Sequence, residues 1–203
     1  MSVPRENSVK QLCDLYTVVV GLALSIAISK VIDETAVYLP ISRANVWTFL
    51  VFIITVVPFY HGALRHLYAT YVEHGGSKRI KNGALLIDYA LLFVEGGVLV
   101  GLAFLIQSPS GFLGLFILLM FLDSVWGLLA HTTLIGSQAQ NAEKTWAFIN
   151  VIYFVVLLVG YFSFNVPAER FTWEPRMSYM LLGTAFLRTV LDYWFSWKFY
   201  FPD

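Results

Sequence analysis

Long apolar segments follow one another along the chain, separated by short polar connections. Six of them reach the roughly 20 residues that a helix needs to cross the hydrocarbon core of a bilayer. The segments are continuously apolar, whereas the strands of a membrane barrel are short and alternate in polarity, so the pattern predicts helices. The predicted spans are 11–32, 46–71, 84–106, 112–134, 144–164 and 178–201.

The connections contain residues that end helices. The stretch 74–83 is polar and rich in glycine, the segment 108–111 predicts a tight turn, and Pro167 and Pro175 lie before the last span. None of these connections is long enough for a separate soluble domain. We therefore expect an all-α membrane protein, a bundle of six transmembrane helices that forms a single integral domain over residues 1–203.

Basic residues in the connections predict the orientation. Six spans place both ends of the chain on one side of the membrane, and that side carries more Lys and Arg than the other. The positive-inside rule then predicts that both termini are cytoplasmic. A basic trio in the second connection predicts either a topogenic loop or a contact with anionic lipid or a protein partner. Its members are Lys78, Arg79 and Lys81.

Composition supports a membrane location. Hydrophobic residues make up 58% of the chain and charged residues 13%, about half the charged share of a soluble domain. The formal net charge of +0 gives no reason to expect a nucleic-acid partner. Cys13 is the single cysteine, which excludes an intrachain disulfide. The first apolar segment has no small-residue cleavage site after it, so we expect a retained span. The chain is compact and has no long soluble loops or targeting segment, so we expect a cell membrane, by default a bacterial inner membrane.

A similar short motif recurs in the second, fourth and sixth spans. A phenylalanine comes first, an ionisable residue two positions later, and then a small and an aliphatic residue. The ionisable residues are His61, Asp123 and Arg188, at separations of 62 and 65 positions. This spacing is consistent with three helical hairpins in parallel repetition, although any six-helix chain with even loops also produces it.

Ionisable residues inside the spans support a functional hypothesis, because a charge at the bilayer centre costs about 3 kcal/mol on insertion scales. Residues four or seven positions apart share a helix face, so these side chains are expected to point into the bundle together. The sequence therefore predicts a buried polar network. Its members are His61, Arg65, Asp88, Glu95, Asp123, Arg188 and Asp192.

Within this network we expect ion pairs of Asp123 with Arg188, and of Arg65 with Asp192 or Asp88. With Asp14 included, the set contains five acids against two arginines. Some carboxyl groups are then left without a fixed cationic partner. Each of these groups must be protonated, bind a cation, contact water, or pair with a protonated histidine. The structural alternative is a charge network that only holds the helices together.

Glycine and proline positions predict a close contact between helices and a bend in one helix. Gly96, Gly97 and Gly101 on the third span include a Gly-x-x-x-Gly spacing that permits close contact between helices. Pro58 precedes His61 in the second span and is expected to bend that helix.

Known enzyme motifs are missing from the sequence. It contains no His-Glu-x-x-His, no Gly-x-Ser-x-Gly and no glycine-rich phosphate loop. His66 and His131 form a conceivable metal or haem pair near the cytoplasmic end, with ordinary interfacial histidines as the alternative. We expect no catalytic residue, no bound metal and no cofactor.

The sequence thus predicts a small permease or channel-type protein whose buried acid, arginine and histidine side chains handle protons or a small cation. Two alternatives stay open: a non-catalytic membrane subunit, anchor or sensor that assembles with a partner, and a membrane enzyme that acts on lipid. We expect membrane lipid to contact the outer surface of the helices. The sequence is also compatible with an oligomer. The expected roles are Glu95 and Asp123 as proton or cation sites, His61 as a pH-responsive neighbour, and Arg188, Arg65 and Asp192 as ion-pair gates.

Overall fold

The computed structural model describes residues 3–32, 45–73, 83–133, 138–163 and 175–202. Regular structure in these ranges is helical. A π-helical turn (Ala69–Glu73) extends the second helix, and a 3₁₀ turn (Leu105–Gln107) ends the third. The α-helices are α1 (Val3–Val31), α2 (Val46–Tyr68), α3 (Ala84–Phe104), α4 (Pro109–Thr133), α5 (Gln138–Ser163), α6 (Pro175–Phe195) and α7 (Trp197–Tyr200).

Five helical segments of the described chain are long and apolar enough to cross a membrane. The chain therefore has a helical fold of the membrane type, as the apolar segments predict. The helix α6 is not among the five, and it is less apolar because it carries Arg188 and Asp192. The five segments are Glu6–Val31, Val46–Glu73, Ala84–Gln107, Pro109–His131 and Ala142–Phe162.

Helix starts agree with the sequence in the middle of the chain and differ elsewhere. The helices α2 and α3 begin at Val46 and Ala84, where the second and third spans were predicted. In contrast, α4 already begins at Pro109, inside the predicted turn. Proline suits the first helical position because the missing N–H group has no partner there in any case. The predicted turn is thus reduced to its first residue.

Contacts between helices are most extensive for α4 with α5, α1 with α3, and α2 with α6. Large side chains such as Phe52, Phe116 and Met120 are fully buried between them. Many other apolar side chains point outwards, among them Phe93 and Phe162. An apolar exterior of this extent is expected for helices that face lipid.

Two glycines of α3 mark places where this helix approaches its neighbours closely. A Cβ atom on Gly96 of α3 would lie 2.8 Å from Cγ1 of Val19 in α1, and one on Gly101 would lie 2.7 Å from Cδ2 of Leu115 in α4. The space around Gly97 is open. Close contact along α3 is therefore found at Gly96 and Gly101, whereas Gly97 does not take part.

Candidate functional site

Buried polar side chains of the described residues meet in two clusters, each built from several helices. The arginine cluster connects α4, α5, α6 and α7, and it consists of Asp123, Asn150, Arg188, Asp192 and Tyr200. The histidine cluster connects α2, its π-helical turn, α3, α4 and α5, and it consists of His66, Tyr71, Asp88, Trp126 and Glu143.

Arg188 is the centre of the arginine cluster and is only 6% exposed. Its Nε donates a hydrogen bond to Oδ1 of Asn150 at 2.8 Å, and its Nη2 lies 3.8 Å from Oδ2 of Asp123. The amide of Asn150 also donates to this Asp123 oxygen. The guanidinium carbon lies 4.6 Å from the ring centre of Phe59, a cation–π contact. The structure therefore brings the predicted pair of Asp123 and Arg188 together, with Asn150 as a bridge.

Asp192 lies one helical turn beyond Arg188 and is also buried. Its Oδ2 accepts a hydrogen bond from the hydroxyl of Tyr200 at 2.9 Å. The phenol is the donor in this contact, since a carboxylate oxygen accepts the hydrogen bond.

A small cavity of about 20 Å³ adjoins Asp123, Arg188 and Asp192 and is also bordered by Gly62 and Trp126. This volume has room for about one water molecule. Nη1 of Arg188 and Oδ1 of Asp192 are buried and have no hydrogen-bond partner among the described residues. One of these atoms donates and the other accepts, so a single water molecule can satisfy both.

Glu95 of α3 lies close to the arginine cluster but makes a separate contact. It is 3% exposed, and its Oε1 accepts a hydrogen bond from the hydroxyl of Tyr16 in α1 at 3.0 Å. The charges of Asp123 and Arg188 both act on it. No basic side chain in the described part of the chain lies within ion-pair distance of Glu95. This buried carboxyl group thus has a hydroxyl partner and no direct cationic one.

His66 forms the centre of the histidine cluster, where it is 1% exposed. Its Nδ1 lies 2.6 Å from Oε1 of Glu143, and its Nε2 lies 3.1 Å from Oδ2 of Asp88. Asp88 also accepts hydrogen bonds from the hydroxyl of Tyr71 at 2.6 Å and from Nε1 of Trp126 at 2.9 Å. The imidazole ring therefore lies between two carboxyl groups of different helices.

The arrangement of the histidine cluster suits a proton better than a metal ion. The two ring nitrogens of His66 point in opposite directions, so the two carboxyl groups cannot share one metal ion with the ring. No group of three or more metal-ligating side chains is found in the described ranges. An imidazole can accept a proton at one nitrogen and release one from the other. Nε2 of His66 is hydrogen-bonded to Asp88, whereas Nδ1 lies close to Glu143 without hydrogen-bond alignment.

The predicted partners of Arg65 are wrong. The sequence suggested Asp192 or Asp88, whereas Arg65 forms an ion pair with Glu73 and donates from Nε to the carbonyl oxygen of Phe199 at 2.6 Å. The π-helical turn changes the register of the chain after α2 and brings Glu73 to the side of Arg65.

His61 lies outside both clusters. Its Nδ1 is 3.1 Å from the hydroxyl of Tyr193, and its ring contacts those of Tyr200 and Phe201 near the end of the chain. The predicted network therefore divides. Asp123, Arg188 and Asp192 share the arginine cluster, Glu95 lies beside it, Asp88 belongs to the histidine cluster, and His61 and Arg65 contact the C-terminal segment.

Sequence reasoning missed the roles of His66 and Glu143. For His66 the sequence suggested an interfacial histidine or a pair with His131. Glu143 lies just before the fifth predicted span and was not included in the predicted network. A usable signal was the spacing of seven residues between Glu143 and Asn150, which puts them on one helix face. Both side chains are fully buried.

Comparisons with known proteins found no match to a family model, to a curated protein or to a solved structure. The functional interpretation therefore depends on the geometry of the two clusters.

Proposed function

We propose that the protein is a small permease or channel-type membrane protein whose buried carboxyl groups carry protons or a small cation across the helical bundle. The observation behind this proposal is an excess of buried acid. In the described residues, Arg188 and His66 are the basic side chains that pair with the interior acids. The interior carboxyl groups are those of Asp88, Glu95, Asp123, Glu143 and Asp192.

Two basic groups cannot neutralise five carboxylates in a medium that penalises bare charge. The remaining acids have to be protonated, bind a cation or contact water. A purely structural network would be expected to pair each buried acid with a fixed donor cation. Glu95 is the most telling case, since its described partner is the Tyr16 hydroxyl.

The proposed roles follow from the contacts. Glu95 and Asp123 are the proton or cation sites, and Arg188 is the fixed positive charge that controls access between Asp123 and Asp192. His66, held between Asp88 and Glu143, is assigned the role of a proton relay, whereas the sequence predicted His61 as the pH-responsive neighbour of the proton sites.

We also propose six spans, with α6 as the sixth and both termini in the cytoplasm of a cell membrane. Two observations support α6 as the sixth span: its extensive contact with α2, and the burial of Arg188 and Asp192 inside the bundle. The hairpin repeat stays a prediction. The basic trio Lys78, Arg79 and Lys81 lies outside the described residues, and its contact with anionic lipid or a partner stays a prediction as well.

Ion flux into liposomes that contain the purified protein tests the proposed function. We expect the wild type to pass protons or one ion of a sodium, potassium and lithium panel, and Glu95→Gln to abolish that flux because an amide cannot bind or release the proton. The thermal unfolding midpoint of the variant should stay within a few degrees of the wild type.

The matched control is Glu6→Gln, which neutralises an exposed acid near the start of α1 and should leave the flux unchanged. A wild type that passes none of these ions would contradict the proposal. A strong loss of thermal stability in Glu95→Gln, together with a stoichiometric partner in pull-downs, would instead support the membrane-subunit alternative.

A further inference from the structure

A large apolar groove lies between α5 and α6 and borders the arginine cluster at Arg188. Its volume is about 660 Å³, within the range of sites that hold small ligands. The side chains of Ile152 and Val156 on α5 and of Leu187 and Leu191 on α6 form much of its wall. Ile152 is about half exposed, so the groove opens to the outside of the bundle.

The length of the groove fits one leaflet of a bilayer. From Lys144 to Val156 the groove follows α5 for about 18 Å, at 1.5 Å per residue. Half of a hydrocarbon core is about 15 Å thick. Further along α5, Gly160 faces Met180 of α6, and a Cβ atom on this glycine would lie 3.7 Å from Cε of Met180. The two helices are therefore in contact at that end, and the groove along α5 ends before this contact, at Val156.

A positive charge at one end of the groove indicates the kind of ligand that the groove would bind. Lys144 lies at this end of the groove and is exposed. No acidic side chain of the described residues lies within ion-pair distance of it. A single lysine above an apolar groove of one-leaflet depth is complementary to an anionic head group with an acyl chain.

We propose that this groove binds one anionic phospholipid, with its head group at Lys144 and an acyl chain between α5 and α6. The bound chain would also cover Arg188, which lines the groove and donates a hydrogen bond to Asn150. Lipid would then seal the arginine cluster from the surrounding membrane. The lipid-binding measurement below does not depend on the proposed ion flux.

Native mass spectrometry of the detergent-purified protein tests the site with added phosphatidylglycerol and phosphatidylcholine. The wild type should retain one phosphatidylglycerol per chain in preference to phosphatidylcholine. Lys144→Ala should weaken phosphatidylglycerol retention about fivefold, as expected for one lysine near an anionic head group. Ile152→Trp should abolish retention because the indole fills the groove.

Two matched variants serve as controls. Lys10→Ala removes an exposed lysine of α1, and Val155→Trp places an indole on an exposed position of α5 that does not line the groove. Both should retain lipid as the wild type does. Equal retention of the two lipids, or unchanged retention in Lys144→Ala, would overturn the proposal. If the wild type is a dimer and Ile152→Trp dissociates it, the lipid proposal is also overturned, because a second copy of the chain would then occupy the groove.

Discussion

At the scale of the residue, Arg188 shows how the interior of an apolar helical bundle holds a permanent charge. Arginine does not lose its proton in proteins, so its surroundings have to compensate the charge. Asn150, Asp123 and the ring of Phe59 together provide a hydrogen bond, an opposite charge and an aromatic face. Each partner comes from a different helix, so the arginine also fixes the positions of these helices relative to one another.

Replacing Arg188 should destabilise the protein strongly. Arg188→Leu leaves the Asp123 carboxylate buried without its cation, which typically costs about 3–5 kcal/mol. The double variant Arg188→Leu with Asp123→Leu should recover part of this loss because it removes both charges. Unfolding curves in one detergent would measure the difference, with Lys198→Leu as an exposed control. If Arg188→Leu lowers the free energy of unfolding by less than about 1 kcal/mol, the pair of Arg188 and Asp123 is not a buried ion pair.

At the scale of the element, the contact of α4 with α5 depends on one small residue. A Cβ atom on Gly127 would lie 3.0 Å from Cβ of Ala147 and 3.2 Å from the backbone oxygen of Glu143. The neighbours on α5 include backbone, which cannot move aside as a flexible side chain can. The same approach places Glu143 beside His66, so close packing of α4 and α5 helps to form the histidine cluster.

Gly127→Ala should therefore lower the stability by about 1–3 kcal/mol through overpacking. Gly114→Ala lies on the same helix with open space around the new methyl group, and it should be neutral or slightly stabilising. Thermal unfolding of the two variants side by side provides the measurement. Equal midpoints for both variants would mean that α4 and α5 are not in such close contact.

Apolar segment length predicts the helices well because a chain in lipid has to satisfy its backbone polar groups internally. The partners of the side chains are harder to predict. A helix that is apolar on most of its surface has no clear inner face in its sequence pattern. The spacing of Glu143 and Asn150 indicated that these two residues share a helix face, but no pattern paired His66 with Asp88 or Glu143. Likewise, Glu73 reaches Arg65 through a π-helical turn that no spacing rule predicts.

At the scale of the whole molecule, α6 decides the topology. If it crosses the membrane, the two ends of the chain lie on the same side. If it does not, five spans place them on opposite sides. The helix carries two charged residues of the arginine cluster, so its insertion depends on the partners that α2, α4 and α5 provide.

Labelling of single cysteines in intact and in opened cells tests this topology. In a Cys13→Ser background, Glu6→Cys and Pro202→Cys should both react with a membrane-impermeant maleimide only after the cells are opened. Both residues are exposed, so the reagent can reach them. Reaction of one of the two in intact cells would place the termini on opposite sides and contradict the six-span topology.

The central claim is that acids in excess of their basic partners move an ion through the bundle. The most direct test is the initial rate of ion uptake into liposomes under an imposed membrane potential, compared between the wild type and Asp123→Asn at equal protein content. We predict uptake well above that of empty liposomes for the wild type, and uptake near the empty-liposome rate for the folded variant. Equal uptake by the two proteins, or none by either, would contradict the claim.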